Sequence, residues 1–135
     1  MTGATSPADL QGAYFSKDFD LAGLLGTGTI FLAADDFAEV SVNGTLVGST
    51  GSITDYGLAA GAQGGLKEFD LTPFMVSGPN TVTIRAQDGP GSFGGCDPCS
   101  YAGNPAGVVF GGTLSFTAPT ATKSQTWGRL KARYK

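Results

Sequence analysis

Residues 38–47 read AEVSVNGTLV and decide the fold. Before the centre, in residues 38–42, apolar residues alternate with polar ones, which is the pattern of a half-buried β-strand. Asn43-Gly44 at the centre supplies the two residues of positive φ that a type I′ turn requires, so we predict a tight β-hairpin. Asn43-Gly44-Thr45 also matches the glycosylation sequon, but the turn explains this tripeptide without any modification.

Short strand patterns continue on either side of this hairpin. The chain contains 22 glycines without a collagen-like period, and we find no convincing amphipathic helix before the C-terminal tail. About seven or eight short strands separated by turns predict an all-β fold, a β-sandwich of jelly-roll type with about eight antiparallel strands. The segments with strand patterns are 13–19, 29–34, 38–42, 45–47, 67–71, 81–86 and 108–117.

The segments between these strands carry their own expectations. Residues 49–65 are rich in Gly, Ala and Ser, so we expect a long loop there. Residues 72–75 predict a turn or a single helical turn, and Gly111-Gly112 predicts a bulge or bend in the last strand. The longest irregular stretch, 88–106, is of a length that is usually functional or cross-linked.

A chain of 135 residues fits one domain. We divide it into a lead-in at 1–12, a jelly-roll sandwich at 13–118, and a linker with a basic, aromatic tail at 119–135. No stretch reaches the ~18 apolar residues of a membrane span. The N-terminus lacks a basic region followed by an apolar one, so it is not a signal peptide. Either the protein is not secreted by that route, or its signal has been removed. Because the composition is typical of extracellular proteins, we expect the second, in a bacterial extracellular or cell-surface protein.

Composition excludes several kinds of chemistry. The chain contains no histidine, so it cannot form a Ser-His-Asp triad, a Cys-His dyad or a His-ligated zinc site. Charged residues make up 14% of the chain, against about 25% in typical domains. No catalytic motif is visible, and we predict that the protein is not an enzyme.

Charge divides the chain into an acidic body and a basic tail. Residues 1–122 carry eleven acidic and three basic side chains, a net charge of −8, whereas residues 123–135 carry five basic side chains and no acid. This asymmetry predicts a partner for the tail. The acidic body would repel phosphate, so nucleic-acid binding is not expected.

Three segments resemble galactose-binding-like jelly rolls, which occur in bacterial cell-surface proteins and as accessory modules of glycoside hydrolases. They are AYFSKDFDL at 13–21, FLAADDFAEVSVNGTLVG at 31–48 and KEFDLTPFMVSGPNTVTIRAQDG at 67–89. Their order and spacing agree with the family over roughly 100 residues. The resemblance implies a jelly-roll fold. It also implies that the domain either binds sugars or holds neighbouring parts of a protein together.

Five residues in the predicted loops are candidates for ligand binding: Asp35, Tyr56, Asp88, Phe93 and Tyr101. The aromatic rings could stack on a sugar or anchor a protein partner, or they could instead fill the open ends of the sandwich. The loops contain few other aromatic residues.

Asp35 and Asp36 have two interpretations. Together with Asp88 and backbone carbonyls they could bind Ca²⁺, which prefers six to eight oxygen ligands. Alternatively, Asp35 caps the turn through its own backbone. Successive strand residues point to opposite faces, so we expect that the two carboxyl groups cannot act together on one bond. We predict no cofactor other than this candidate calcium ion.

Cys96 and Cys99 lie in the sequence GGCDPCSY. A redox dithiol would need a helix N-terminus beside a βαβ unit, and neither is present in the pattern. A zinc site would need two further ligands, and no other Cys or His exists to supply them. A local disulfide that closes a short loop fits better.

The tail, KSQTWGRLKARYK, is amphipathic. Trp127, Leu130 and Tyr134 fall at i, i+3 and i+7, so they would form one stripe of a helix. Arg129, Lys131 and Arg133 lie elsewhere on the same helical wheel. The tail is similar to short Trp-Gly-basic tails that end some bacterial exported proteins and serve sorting or attachment. It could dock on a neighbouring copy, bind an anionic surface, or remain solvated.

Two functions follow from these features. The first is a non-enzymatic extracellular module whose tail docks on a neighbouring subunit or surface partner, giving self-assembly. The second is a carbohydrate-binding module that uses the loops at the ends of the sandwich, with or without calcium.

Overall fold

The computed structural model describes residues 10–22, 26–95 and 106–116. Within these ranges the chain forms seven strands and one α-helix. In chain order they are β1 (Gly12–Asp20), β2 (Gly26–Asp35), β3 (Phe37–Val42), β4 (Thr45–Gly51), α1 (Tyr56–Gln63), β5 (Lys67–Asp70), β6 (Pro79–Gln87) and β7 (Gly107–Phe116). Two short 3₁₀ helices lie at Thr72–Phe74 and Gly91–Gly94. The first of these confirms the predicted helical turn at 72–75.

The strands form two antiparallel sheets that pack face to face. One sheet has the order β1-β6-β3-β4 and the other the order β5-β2-β7. The predicted all-β sandwich is confirmed, with seven strands in the described ranges where the pattern indicated about eight. None of the helices in these ranges is long and apolar enough to cross a membrane.

The core lies between the sheets and consists of the alternate side chains of each strand. In β3 every second residue is buried, and Val40 and Val42 are fully inaccessible. Because burying one such side chain is worth about 1.5–3 kcal/mol, the alternation fixes which face of each strand points inward. The buried cluster comprises Ile30, Leu32, Val40, Val42, Phe69, Leu71 and Ile84.

The hairpin between β3 and β4 forms as predicted. Asn43 and Gly44 have φ values of 52° and 78°, and Val42 pairs with Thr45 across the turn. The Asn43 side chain also joins this hairpin to neighbouring segments. Its Nδ2 donates to the Phe74 carbonyl, and its Oδ1 accepts the Thr81 N–H at 2.9 Å. Asn43 therefore serves both the turn and the packing of the sheet.

The prediction of one long loop at 49–65 is wrong. Strand β4 continues to Gly51, and α1 occupies eight of the following residues. Asp55 caps this helix, because its Oδ1 accepts the Leu58 N–H at 3.1 Å. Ala59 and Ala62 are buried, so the helix is held by small side chains that give only a weak amphipathic pattern.

Of the bulge or bend predicted at Gly111-Gly112, the bulge is absent, because β2 and β7 pair without a register shift from Gly26 to Asp35. Glycine is needed at 112 for a different reason. A Cβ there would lie 2.5 Å from the Thr29 carbonyl oxygen, so the two strands approach too closely for a side chain. The register shift of this protein lies between Val40 and Ser41, in the β3–β4 pair.

The two long sides of the sandwich differ. On one side β4 and β5 meet, and the Phe69 ring covers Gly48 so closely that a Cβ there would lie 2.5 Å from it. On the other side the edge strands are β1 and β7. Their inner residues Phe15 and Phe110 meet with ring centroids 5.4 Å apart. The sandwich is thus closed along β4 and β5 and more open along β1 and β7.

Candidate functional site

Several strand ends meet at one end of the sandwich. Gln87 at the end of β6 pairs with Gly12 at the start of β1 and with Phe37 at the start of β3. Asp35 at the end of β2 pairs with Gly107 at the start of β7. A cavity of about 540 Å³ opens between these ends. The side chains that line it include Gln11, Phe15, Asp35, Gln87, Asp88 and Val108.

Asp36 connects three segments of the chain at this end of the sandwich. It is only 3% exposed, and its Oδ2 accepts the Gly89 N–H at 2.8 Å. Its carbonyl oxygen accepts the Ser52 N–H at 3.2 Å. The Asp35–Asp36 peptide bond is cis. Asp36 therefore ties the β2–β3 junction to the segment after β6 and to the end of β4.

Two glycines make room for Asp36. Gly51 has a φ of 79°, and a Cβ there would lie 1.8 Å from the Asp36 carbonyl oxygen. At Gly89 a Cβ would lie 2.5 Å from Asp36 Oδ2. Because no side chain fits at either position, the close approach of these loops depends on both glycines.

Asp35 points into the cavity beside Asp36. Burial raises the pKa of Asp35, and the negative charge of Asp36 and a side-chain hydrogen bond with Asp36 raise it further. Gln63 Nε2 at the end of α1 donates to Asp35 Oδ1, which opposes this rise. Asp35 is thus a partly desolvated carboxyl group that is held between an amide donor and a second acid.

Two expectations for this pair are wrong. One of the two interpretations of Asp35 is that it caps the turn through its own backbone, but its carboxyl group accepts a hydrogen bond from Gln63, 28 positions away in the sequence. The carboxyl groups of Asp35 and Asp36 were expected on opposite faces, but they interact directly. The alternation of a strand does not apply to them because Asp36 lies between β2 and β3 and belongs to neither.

Asp88 forms part of the cavity wall. It is 2% exposed, and its backbone N–H donates to the Gln11 carbonyl at 3.1 Å. Gln87 Nε2 donates to the Leu10 carbonyl, and Arg85 donates to Gln87 Oε1. These bonds hold the start of β1 against the end of β6. Gln11 and Gln87 were not predicted as site residues, and nothing in the local sequence marks them.

Tyr56 and Phe93 form an aromatic pair near Asp36. Their ring centroids are 5.7 Å apart in an edge-on arrangement. Phe93 is half-buried and packs against the backbone at Gly89, where a Cβ would lie 2.8 Å from its ring. Tyr56, in contrast, is 60% exposed. Phe93 therefore fills space at the end of the sandwich, and Tyr56 presents an open ring face beside it.

The predicted site residues are thus only partly brought together. Asp35 and Asp88 share the cavity, Tyr56 and Phe93 form a separate ring pair, and Tyr101 lies outside the described residues. Within residues 10–22, 26–95 and 106–116 no group of three or more His, Cys, Asp or Glu side chains is placed to hold a metal ion. A calcium site at Asp35, Asp36 and Asp88 stays a prediction.

The other predicted residues lie outside the described ranges. They are the candidate disulfide pair Cys96 and Cys99 and the tail residues Trp127, Arg129, Leu130, Lys131, Arg133 and Tyr134. The disulfide and the docking role of the tail therefore stay predictions.

No protein-family model matches the sequence, and the search of curated proteins returned no match. Solved structures do resemble the fold. An α-L-rhamnosidase from Streptomyces avermitilis, complexed with L-rhamnose, matches 94% of this chain and 12% of its own, with a TM-score of 0.55 and 18% identity. A lectin from Pleurotus ostreatus, in complex with GalNAc, matches 85% of this chain and 27% of its own, with a TM-score of 0.54 and 21% identity.

An α-L-rhamnosidase from Aspergillus terreus is similar as well, with a TM-score of 0.51, 16% identity, and coverage of 88% of this chain and 13% of its own. The chain thus spans between about an eighth and about a quarter of the length of these three proteins. At this level of identity the likeness defines the class of fold. The chain is a β-sandwich of the kind that occurs within rhamnosidases and a lectin, which agrees with the resemblance to galactose-binding-like jelly rolls.

Proposed function

We propose that this chain is a carbohydrate-binding module that takes a sugar in the cavity at the end of the sandwich. The observation that carries the proposal is the cavity itself. Its volume of about 540 Å³ lies within the usual range of small-ligand sites, roughly 300–1,000 Å³. The similar folds of a lectin and two rhamnosidases support the same class of ligand.

The chemistry of the cavity suits a sugar. A pyranose ring presents several hydroxyl groups, which donate and accept hydrogen bonds, together with a more apolar face of C–H groups. The carboxylate of Asp35 can accept hydrogen bonds from hydroxyls, and the amide of Gln11 can both donate and accept. Phe15 supplies an apolar wall. The cavity thus offers both kinds of contact from one set of strand ends.

Tyr56 is the candidate second contact. Its exposed ring could stack on a sugar unit that extends beyond the cavity, because an aromatic face packs well against C–H groups. Phe93 would support this ring from its edge. This arrangement favours an oligosaccharide over a single sugar.

We also propose that the module binds without catalysis. Asp36 is buried and already accepts the Gly89 N–H, so its carboxyl group serves the fold. An extracellular or cell-surface location, predicted from composition, would fit a module that meets glycans.

Glycan-array screening followed by titration calorimetry tests the proposal. We expect at least one glycan to bind, and GalNAc- and rhamnose-containing glycans are the first probes. Replacing Asp35 with alanine removes an acceptor in the cavity and should weaken binding by about tenfold or more, since a hydrogen bond to a charged group is worth about 1.5–3 kcal/mol. Tyr56→Ala should weaken binding of the longer glycans most.

Matched controls exist on the same domain. Asp70→Asn changes a fully exposed acid away from the cavity, and Tyr14→Ala removes a tyrosine that is 70% exposed on β1. Both variants should bind as the unaltered protein does. Repeating the array with and without calcium tests the metal prediction. The proposal is wrong if no glycan binds in either condition, or if Asp35→Ala and Asp70→Asn bind equally well.

The other predicted function, docking of the tail on a neighbouring subunit, stays a prediction from the sequence. A surface that receives this tail would have to be apolar, to accept Trp127, and lie close to acidic side chains. One such surface is open on this domain, along β1 and β7.

A further inference from the structure

The open side of the sandwich contains an apolar cleft. It lies between β1 and β7 and has a volume of about 510 Å³. The side chains that form it include Phe15, Phe19, Val82, Ile84, Phe110 and Leu114. Phe110 and Leu114 are each 42% exposed although both point toward the core. Among the described residues of the lining, Lys17 is the only charged one.

The apolar lining of this cleft and the edge strands beside it suit the binding of another chain segment. Clefts lined mainly by apolar and aromatic side chains are typical of binding surfaces. Here the cleft also lies between two edge strands, β1 and β7, each of which pairs on one side only within the described residues. The sheet that contains β7 has three strands and faces a sheet of four. Strand β7 therefore has an unpaired edge among the described residues.

We propose that residues 117–135 of the same chain cover this cleft, with Trp127 seated against Phe110 and Leu114. The first argument is continuity. Strand β7 ends at Phe116, at the rim of the cleft, and nineteen residues follow it in the sequence. The proposal concerns a second site on the protein and does not depend on sugar binding.

The second argument is reach. Ten residues separate Phe116 from Trp127 and can span up to about 35 Å when extended. Strand β7 has ten residues and is about 33 Å long. A chain that turns back after Phe116 can therefore bring Trp127 to any point along the cleft, including the positions of Leu114 and Phe110.

The third argument is charge. Asp18 and Asp20 are exposed on β1 at the end of the cleft where β7 terminates, and Asp70 lies at the same end on β5. The tail carries five basic residues and no acid. Apolar side chains of the tail can thus enter the cleft while its cations lie close to these aspartates.

The fourth argument favours the same chain over a second copy. A segment joined to β7 by a short linker has an effective concentration in the millimolar range at its own cleft. A second copy would have to compete with this at ordinary protein concentrations. Covering its own cleft is therefore the expected arrangement for the tail, and exchange between copies would need high concentration.

Trp127 makes the test direct because it is the only tryptophan in the sequence. In the full-length protein we expect its fluorescence to be blue-shifted relative to the same protein in urea, and shielded several-fold from acrylamide quenching. Both properties should be independent of protein concentration, and sedimentation should show a monomer.

Two variants locate the binding site. Leu114→Asp places a charge inside the cleft and should shift Trp127 emission to the red and remove the shielding. Val109→Asp is the matched control, since Val109 is 66% exposed on the same strand but does not line the cleft. It should leave the emission unchanged. Leu130→Asp alters the tail alone and should act like Leu114→Asp, so the test does not rely on a change within the strands.

Three results would overturn the proposal. The first is Trp127 emission in the unaltered, folded protein that equals its emission in urea. The second is shielding that appears only as the concentration rises and is accompanied by dimers, which would assign the cleft to a second copy. The third is equal emission from Leu114→Asp, Leu130→Asp and Val109→Asp while circular dichroism shows all three to be folded.

Discussion

Replacing Asp36 with alanine should destabilise the domain strongly. Asp36 is 3% exposed, and its Oδ2 accepts the buried Gly89 N–H at 2.8 Å. Alanine removes the acceptor and leaves the Gly89 N–H without a partner in a buried position. A hydrogen bond to a charged group contributes about 1.5–3 kcal/mol, so we expect Asp36→Ala to lower the free energy of unfolding by about that amount.

Asp36→Asn is the informative comparison because it keeps the shape and one acceptor. Its Oδ1 can still accept the Gly89 N–H, and its Nδ2 can donate to the adjacent carboxylate of Asp35. The cost should therefore stay below about 1 kcal/mol. The same change removes the negative charge and the hydrogen bond that help to raise the pKa of Asp35, so this pKa should fall toward its ordinary value.

Urea unfolding with linear extrapolation measures the free energies, and an NMR titration of the Asp35 carboxyl carbon measures the pKa. The reasoning predicts a clear order of stability, with the unaltered protein and Asp36→Asn close together and Asp36→Ala well below both. Equal losses for alanine and asparagine would refute the role given to the Gly89 hydrogen bond. An unchanged pKa of Asp35 in Asp36→Asn would refute the role given to the charge.

Three further changes test other parts of the structure. Leu32→Ala leaves a cavity at a fully buried position in the core, so it should lower the free energy of unfolding, measured in urea, by about 2–5 kcal/mol. A decrease below about 1 kcal/mol would contradict the assigned core. Asn43→Ala removes the side-chain hydrogen bonds to Phe74 and Thr81 and places alanine at a φ of 52°. The melting temperature of the protein should therefore fall clearly. An unchanged melting temperature would argue against this hairpin geometry. Asp35→Asn tests the raised pKa of Asp35. The folded state holds the proton of this carboxyl group more tightly than the unfolded state does, so the contribution of Asp35 to stability falls as the pH rises from about 4 through its folded-state pKa. Asp35→Asn lacks this contribution, so the difference in unfolding free energy between the two proteins should change over that pH range. Unfolding at several pH values measures it, and parallel pH profiles would contradict it.

The sequence was sufficient where a local pattern fixes the structure. Asn43-Gly44 alone specifies the turn, because few residue pairs accept positive φ at both positions. Alternation in 38–42 placed Val40 and Val42 in the core correctly, since a strand has only two faces. Helix α1 was missed because Ala59 and Ala62 are its buried residues, and two small side chains hardly differ from their surroundings in a hydropathy pattern.

The sequence identified single residues of the candidate site but not which of them lie together. Asp35 and Asp88 stood out as acids at strand ends, but their meeting at one cavity depends on strand order, which no local pattern specifies. Gln63 and Gln87 donate hydrogen bonds to residues 28 and 77 positions away, so the neighbouring sequence does not indicate their roles. Long-range hydrogen bonds of this kind become visible only once the sheets are assembled.

The two proposed sites share one residue, Phe15, which lines both of them. Its ring also contacts that of Phe110, which lines the cleft, with 5.4 Å between the ring centroids. Phe15 is 40% exposed, so a segment that packs on Phe110 would also restrict the space open to the Phe15 ring. A tail seated on Phe110 would therefore hold Phe15 in place and preorganise one wall of the sugar cavity. With both proposed sites occupied, the tail would contribute to ligand binding without contacting the ligand, by reducing the disorder of a side chain that the ligand must meet.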